Sequence, residues 1–174
     1  MSRDTSIVTY GDEHEPERRQ QLVDLLRGCP IPDNELAMNM GIFLTPQTLS
    51  RVLFMDFLYR QALDVQGVVM EFGCRWGQNV SLFTALRGIY EPFNRLRKIV
   101  AFDSFAGFPS VSPEDGEQMR QGAYAVSENY ETYLAAILDV QEKESPLSHL
   151  KKHEIVKGDV VETLPPYLER NPET

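Results

Sequence analysis

The sequence predicts an open α/β fold, a mostly parallel sheet with helices on both faces. Three observations predict it. Short apolar stretches at 68–72 and 98–102, and a third short strand at 153–157, close on glycine or aspartate. The first two have the near-continuous hydrophobicity of parallel strands covered on both sides. Helical patterns lie between and after these runs, giving the alternating order of a parallel sheet. With 174 residues, 42% of them hydrophobic, one domain can bury a core and global disorder is excluded.

Each element follows from local chemistry. Residues 1–14 are polar and are expected to fray. Residues 15–28 predict a helix with Leu22, Leu25 and Leu26 on one face and Gly28 as its stop. A loop with Pro30 and Pro32 follows. Thr45-Pro46 starts the next helix, since threonine caps free N–H groups and proline suits the first helical position. Leu49, Val52, Leu53, Phe57 and Leu63 keep helical spacing until Gly67 breaks it.

The first strand, Val68 to Phe72, ends in Gly73-Cys74-Arg75-Trp76-Gly77, and Val80, Phe83 and Leu86 predict a helix to about Gly88. The second strand, Lys98 to Phe102, is closed by Asp103. Residues 104–127 hold Gly107, Pro109, Pro113, Gly116 and Gly122 without periodicity, the composition of an active-site lid. A helix is predicted from about Glu128 to Leu138 with Ser127 as its cap, then a strand from His153 to Lys157, then a helix from Val160 to about Arg170. Such a sheet usually has about five or six strands, and three are visible. The expectation is therefore an N-terminal portion of a longer protein, truncated after the third strand.

Charge and composition exclude several functions. With 26 acidic against 17 basic residues the net charge is −9, which repels nucleic-acid phosphates and anionic lipid. Neither nucleic acid nor a membrane is expected as a partner. No stretch approaches the roughly 20 apolar residues that span a bilayer, and residues 1–10 show no signal-peptide pattern. Cys29 and Cys74 make neither a disulfide framework nor a metal-ligand spacing. A cytoplasmic location is the expectation.

In open α/β sheets the ligand sits beyond the carboxyl ends of the strands. Three predicted strands end there in Glu71-Phe72-Gly73, Asp103 and Gly158-Asp159. In E-x-G-x-x-x-G, Gly73 permits the turn off the strand and Gly77 lets the next helix start close to a ligand. That helix start offers N–H groups to an anion, and Glu71 can hold an ammonium. An ordinary strand-to-helix turn with a solvent-facing Glu71 is the bland alternative. Asp103 can accept both hydroxyls of a ribose, or bond its own backbone in a turn. Asp159 can meet an adenine amino group with Val160 on the purine face, or serve as the cap of a capping-box-like start, Asp159-Val160-Val161-Glu162. A dinucleotide fingerprint needs a glycine where Arg75 stands, and no G-x-x-x-x-G-K-[ST] occurs.

These residues carry a resemblance. Val69-Met70-Glu71-Phe72-Gly73-Cys74-Arg75-Trp76-Gly77, Phe102-Asp103-Ser104-Phe105-Ala106-Gly107-Phe108-Pro109 and Gly158-Asp159-Val160-Val161-Glu162-Thr163-Leu164-Pro165 resemble three motifs of the macrocin-type (TylF-like) O-methyltransferases, with Phe43-Leu44-Thr45 as a weaker fourth. The matches span about residues 40–166. Among members, the nucleotide-sugar (rhamnose-type) kind of enediyne (calicheamicin) biosynthesis looks close.

The resemblance implies a Rossmann-like class I methyltransferase fold, with residues 1–45 as N-terminal helix and covering segment and 46–174 binding S-adenosylmethionine (SAM). It implies that Glu71, Gly73 and Gly77 hold the methionine part, Asp103 and Ser104 the ribose, Asp159 and Val160 the adenine, and Phe43 and Thr45 the cover. Segment 104–127 becomes the acceptor lid. The implied activity is SAM-dependent O-methylation of a sugar hydroxyl, on a nucleotide-activated or glycoside-bound deoxysugar, in a homo-oligomer. The family also implies magnesium (Mg2+), held by acidic residues of a strand expected beyond Thr174, so no metal ligand can be named. A lid histidine of some members is missing, since the histidines are His14, His149 and His153. Asp115, Glu117 and Tyr124 are the candidate lid bases. His149 and His153 are expected as solvated turn residues. The rivals are a non-sugar acceptor such as a phenol, a SAM-binding fold without catalysis, and an NAD-linked oxidoreductase.

Overall fold

The structure is a computed structural model that describes residues 12–112, 114, 119–172 and 174. It divides into two compact units, one ending at Leu53 and the other running from Phe54 to Thr174. Among the described residues no helix is long and apolar enough to cross a membrane.

The first unit holds α1 (Glu15–Arg27), which ends at Gly28, whose N–H returns to the Asp24 carbonyl at 2.9 Å. The loop expected after it contains a short α2 (Asp33–Leu36) and a 3-10 helix, Ala37–Phe43, which no periodicity announces. Thr45 opens α3 (Pro46–Ala62) as expected, its Oγ1 accepting the Thr48 N–H at 3.2 Å.

The second unit is built on three parallel strands, β1 (Val69–Phe72), β2 (Ile99–Asp103) and β3 (His153–Lys157), in the order β1-β2-β3. Val69 faces Ile99, Phe72 faces Phe102, and Asp103 faces Lys157. Helices α4 (Gln78–Tyr90), α5 (Tyr130–Lys143) and α6 (Val160–Arg170) complete it. Helix α5 differs from expectation: Ser127 does not cap it, and it begins at Tyr130 after Asn129 turns through φ 57°.

The central strand has no polar face. Ile99 and Ala101 pack with Val80, Leu86, Leu134 and Leu138, while Val100 and Phe102 pack with Tyr167 of α6. Helices therefore cover both faces, and the continuous apolar run of β2 follows from that. On α3 the stripe read from the sequence is not the buried one. Leu49, Leu53 and Phe57 are 43%, 60% and 50% exposed, and Met55 and Tyr59 are buried. The helix is apolar nearly all round between Leu49 and Tyr59, so spacing alone singles out no face.

A buried ionic group lies at the amino ends of the strands. Arg87 of α4 donates twice to Glu142 of α5, at 2.6 and 2.7 Å, and once to the Lys152 carbonyl at 2.6 Å. His153 is part of it and is only 4% exposed, which corrects its reading as a solvated turn residue. Its Nδ1 lies 3.3 Å from Glu142, and its Nε2 lies 3.0 Å from Asp139. His149 is exposed, as expected.

Candidate functional site

The carboxyl ends of the three strands open on a cavity of about 530 Å3, within the usual range of small-molecule sites. Phe72, Gly73, Phe102, Asp103, Ser104, Gly158, Asp159 and Val160 line it from the strand ends, together with Arg75 and, from the segment after β2, Gly107, Phe108, Pro109 and Tyr124. The sheet's ladder runs on to this point: Gly73 N–H donates to the Phe102 carbonyl and Gly158 N–H to the Asp103 carbonyl.

Asp103 is the best-fixed group at the rim. Its Oδ2 accepts the Arg75 N–H and its Oδ1 the Phe105 N–H, each at 2.6 Å. A carboxylate has about four lone-pair sites, so two remain for a ligand. The ribose and turn readings of Asp103 are thus compatible, because the backbone bonds aim the oxygens without exhausting them. Asp159 caps α6, with one oxygen accepting the Val161 N–H at 2.9 Å. Its turn role is built, and Val160 still reaches the cavity wall.

Of the residues read from the motifs, Gly73, Asp103, Ser104, Asp159 and Val160 meet in the cavity. Glu71 and Gly77 are not among its lining residues. Glu71 accepts the Asn79 amide at 2.9 Å, which holds its carboxylate against the first turn of α4. Gly77 turns through φ 72° directly before α4, beneath Leu134. Phe43 and Thr45 belong to the unit ending at Leu53. Cys74 is buried beside the rim. Burial, with the charges of Asp103 and Glu71 behind it, pushes its thiol up to about 12, so it is no nucleophile at neutral pH.

The lid segment is two arms joined by backbone bonds. Phe108 N–H donates to the Ala123 carbonyl at 3.1 Å, and Gly122 N–H to the Phe108 carbonyl at 2.9 Å. At Gly107, φ 78°, a Cβ would fall 2.3 Å from the Ala123 carbonyl oxygen, so only glycine lets the arms meet. Tyr124 packs edge-on against Phe108 with ring centres 5.6 Å apart, and the Arg75 guanidinium lies 4.8 Å from the Tyr124 ring centre. Sequence reasoning noticed Arg75 only as a missing glycine; the arginine beside Trp76 in a strand-end turn is the signal that marked it. Asp115 and Glu117 lie outside the described residues, and Tyr124 is at the wall.

No family model matches the sequence, and no curated protein matches it. Solved structures do, among them two of CalS11. The crystal structure of CalS11, calicheamicin methyltransferase, superposes with a TM-score of 0.91 at 44% identity, covering 100% of this chain and 69% of that one. The apo structure of CalS11, TDP-rhamnose 3'-O-methyltransferase, gives 0.81 at 41% identity, covering 95% and 64%. The fold, the three strand-end motifs and this likeness converge: the chain belongs to the macrocin-type family of SAM-dependent O-methyltransferases, alongside CalS11.

Proposed function

We propose that this protein transfers the methyl group of SAM to a hydroxyl of a deoxysugar, nucleotide-activated or already glycosidic, in natural-product biosynthesis. The observation that carries the reading is the strand-end cavity with Asp103 fixed at its rim by two backbone N–H groups. The likeness to a TDP-rhamnose 3'-O-methyltransferase supports the sugar acceptor.

The cavity fits the cofactor. Nothing lies within 4 Å of where a Cβ of Gly73 would sit, so a ligand can approach the backbone there. The two unused acceptor sites of Asp103 suit the ribose hydroxyls, with Ser104 beside them. Asp159 keeps one oxygen for the adenine amino group, and Val160 offers its apolar side to the ring. Glu71, Gly73 and Gly77 shape the turn proposed for the methionine end, Glu71 acting from its place on Asn79. When bound, SAM supplies an electrophilic methyl group on sulfonium.

The chain's own contribution is position. Bringing an acceptor oxygen about 3 Å from a methyl carbon converts a bimolecular step into an effectively unimolecular one. Phe108, Pro109 and Tyr124 give the lid an apolar inner wall that keeps water from the reacting pair. Among the described residues no three His, Cys, Asp or Glu side chains gather to hold a metal ion, and no step is assigned to the magnesium that the resemblance implies.

Labelled SAM offered with a nucleotide-activated deoxysugar, the same sugar as a glycoside, and a catechol tests the reading. Transfer to a sugar hydroxyl is expected. Transfer to the catechol with neither sugar methylated would contradict it.

A further inference from the structure

Arg75 brings a cation to the cavity wall that no carboxylate there answers. Its guanidinium lies against two rings, 4.8 Å from the centre of Tyr124 and 5.7 Å from that of Trp76. Its Nε is buried without a hydrogen-bond partner, and among the described residues no acidic side chain pairs with the group. The two carboxylates that line the cavity take backbone N–H groups: Asp103 those of Arg75 and Phe105, Asp159 that of Val161. An unpaired charge drawn partly out of water is costly, and a ligand anion removes that cost. A guanidinium laid on aromatic rings offers a flat, pre-oriented fork that matches the paired oxygens of a phosphate. The chain carries a net charge of −9, so the local cation, and not the general field, favours an anion at this point.

We propose that Arg75 binds the diphosphate of the acceptor, and so makes the enzyme select a nucleotide-activated deoxysugar over the same sugar in a glycoside. This rests on the reading of the cavity as a SAM site. The adenine and ribose proposed for the strand ends carry no anionic group, which leaves the cation to another ligand. The guanidinium lies over Tyr124, which comes from the segment after β2 that the acceptor reading uses. A nucleoside diphosphate supplies the missing counter-charge, and a glycoside brings none. The carboxylate of the cofactor has the same oxyanion chemistry, and the experiment separates the two sources.

The full chain is saturated with S-adenosylhomocysteine, which fills the cofactor position, and titrated calorimetrically with thymidine diphosphate and with thymidine. The native complex should bind the diphosphate at least about tenfold more tightly than the nucleoside, with an affinity that falls as salt rises. Arg75→Gln should weaken the diphosphate by about 10- to 100-fold, the range of hydrogen bonds to a charged group, and leave thymidine unchanged. Arg75→Lys should recover part of that loss, because it keeps the charge without the fork. Both variants, checked for folding by circular dichroism, should bind S-adenosylhomocysteine to within several-fold of the native chain, since the Arg75 N–H that Asp103 accepts remains.

A native complex that binds the diphosphate no better than thymidine, or an unchanged diphosphate affinity in Arg75→Gln, overturns the proposal and leaves the cofactor reading standing. A folded Arg75→Gln that loses S-adenosylhomocysteine assigns the guanidinium to the cofactor's carboxylate and overturns the proposal as well. A native chain that binds no S-adenosylhomocysteine overturns the cofactor reading and the proposal with it.

Discussion

Asp103 accepts the backbone N–H of Arg75 at 2.6 Å, so the last residue of β2 sets the turn that leaves β1. The same carboxylate takes the Phe105 N–H at 2.6 Å and so sets the first residues of the lid. One side chain thereby fixes the geometry on both sides of the cavity. Asp103→Asn tests that arrangement, because the amide puts an N–H2 group where one backbone N–H now finds an acceptor. Stability should fall by about 1–3 kcal/mol, the cost of a buried donor left without its partner. Affinity for S-adenosylhomocysteine should fall about tenfold or more. Urea unfolding and calorimetry measure the two separately.

Gly77 is a packing requirement. It holds φ 72°, and a Cβ there would fall 2.4 Å from Leu134 Cδ1 on α5. Gly77→Ala should destabilise the protein by roughly 2–4 kcal/mol, combining left-handed strain with overpacking. Leu134→Ala removes the clash but not the strain. The double variant should therefore lose less than the sum of the two single losses, a non-additivity that urea unfolding of all three variants resolves.

The Arg87–Glu142 pair joins α4 to α5 inside the second unit, with both side chains almost wholly buried. Removing the cation leaves a buried carboxylate with Lys152 Nζ, 3.3 Å away, as its remaining charged partner. Arg87→Met should cost about 3 kcal/mol or more. Arg87→Lys should cost about half as much, since it keeps the charge and loses the planar fork that reaches Glu142 and the Lys152 carbonyl together. Denaturant midpoints of the two variants against the native chain settle the order.

Acid should weaken the same region in two stages. Burial holds the His153 imidazole below its ordinary 6.5, outweighing the Glu142 hydrogen bond and the Asp139 charge that favour protonation; Lys151 acts with burial. As pH falls through 6.5, the unfolded chain takes up a proton that the folded chain refuses, so stability drops from there downward until the folded value is reached. Glu142 adds a lower stage. Its burial raises the carboxyl, but the Arg87 charge and hydrogen bonds outweigh that and hold it below 4.5. Its contribution is present above about 4.5 and is lost as pH falls through its folded value. His153→Gln should flatten the first stage and leave the second. Urea midpoints at about pH 7.5, 5.5 and 4 separate the stages.

The first two strands were legible because each is a short apolar run stopped by Gly or Asp, and β3, with only Ile155 and Val156 apolar, still falls on His153–Lys157 as read, closed by Gly158-Asp159. Helix α6 was legible too, since Asp159 announces its start and caps it. The cavity followed from topology, because strand ends in an open parallel sheet face one side. What the sequence hid depends on distant partners. His153 is dry because Asp139 and Glu142 of α5 meet it, with Arg87 of α4 holding Glu142 in place, and nothing in its own neighbourhood says so. Tyr124 gains its role from Arg75, across the whole of β2 and the lid. Glu71 was legible as a rim residue, but its bond to Asn79 on α4 was not. The face of α3 was lost for a different reason, since an all-round apolar helix has no period to read.

Calorimetric titration of S-adenosylhomocysteine into the native chain and into Asp103→Ala tests the central claim, that the strand ends form a SAM site. Micromolar binding to the native chain and its loss in the variant are expected, with both proteins folded by circular dichroism. No binding to the folded native chain, or binding unchanged in Asp103→Ala, would contradict it.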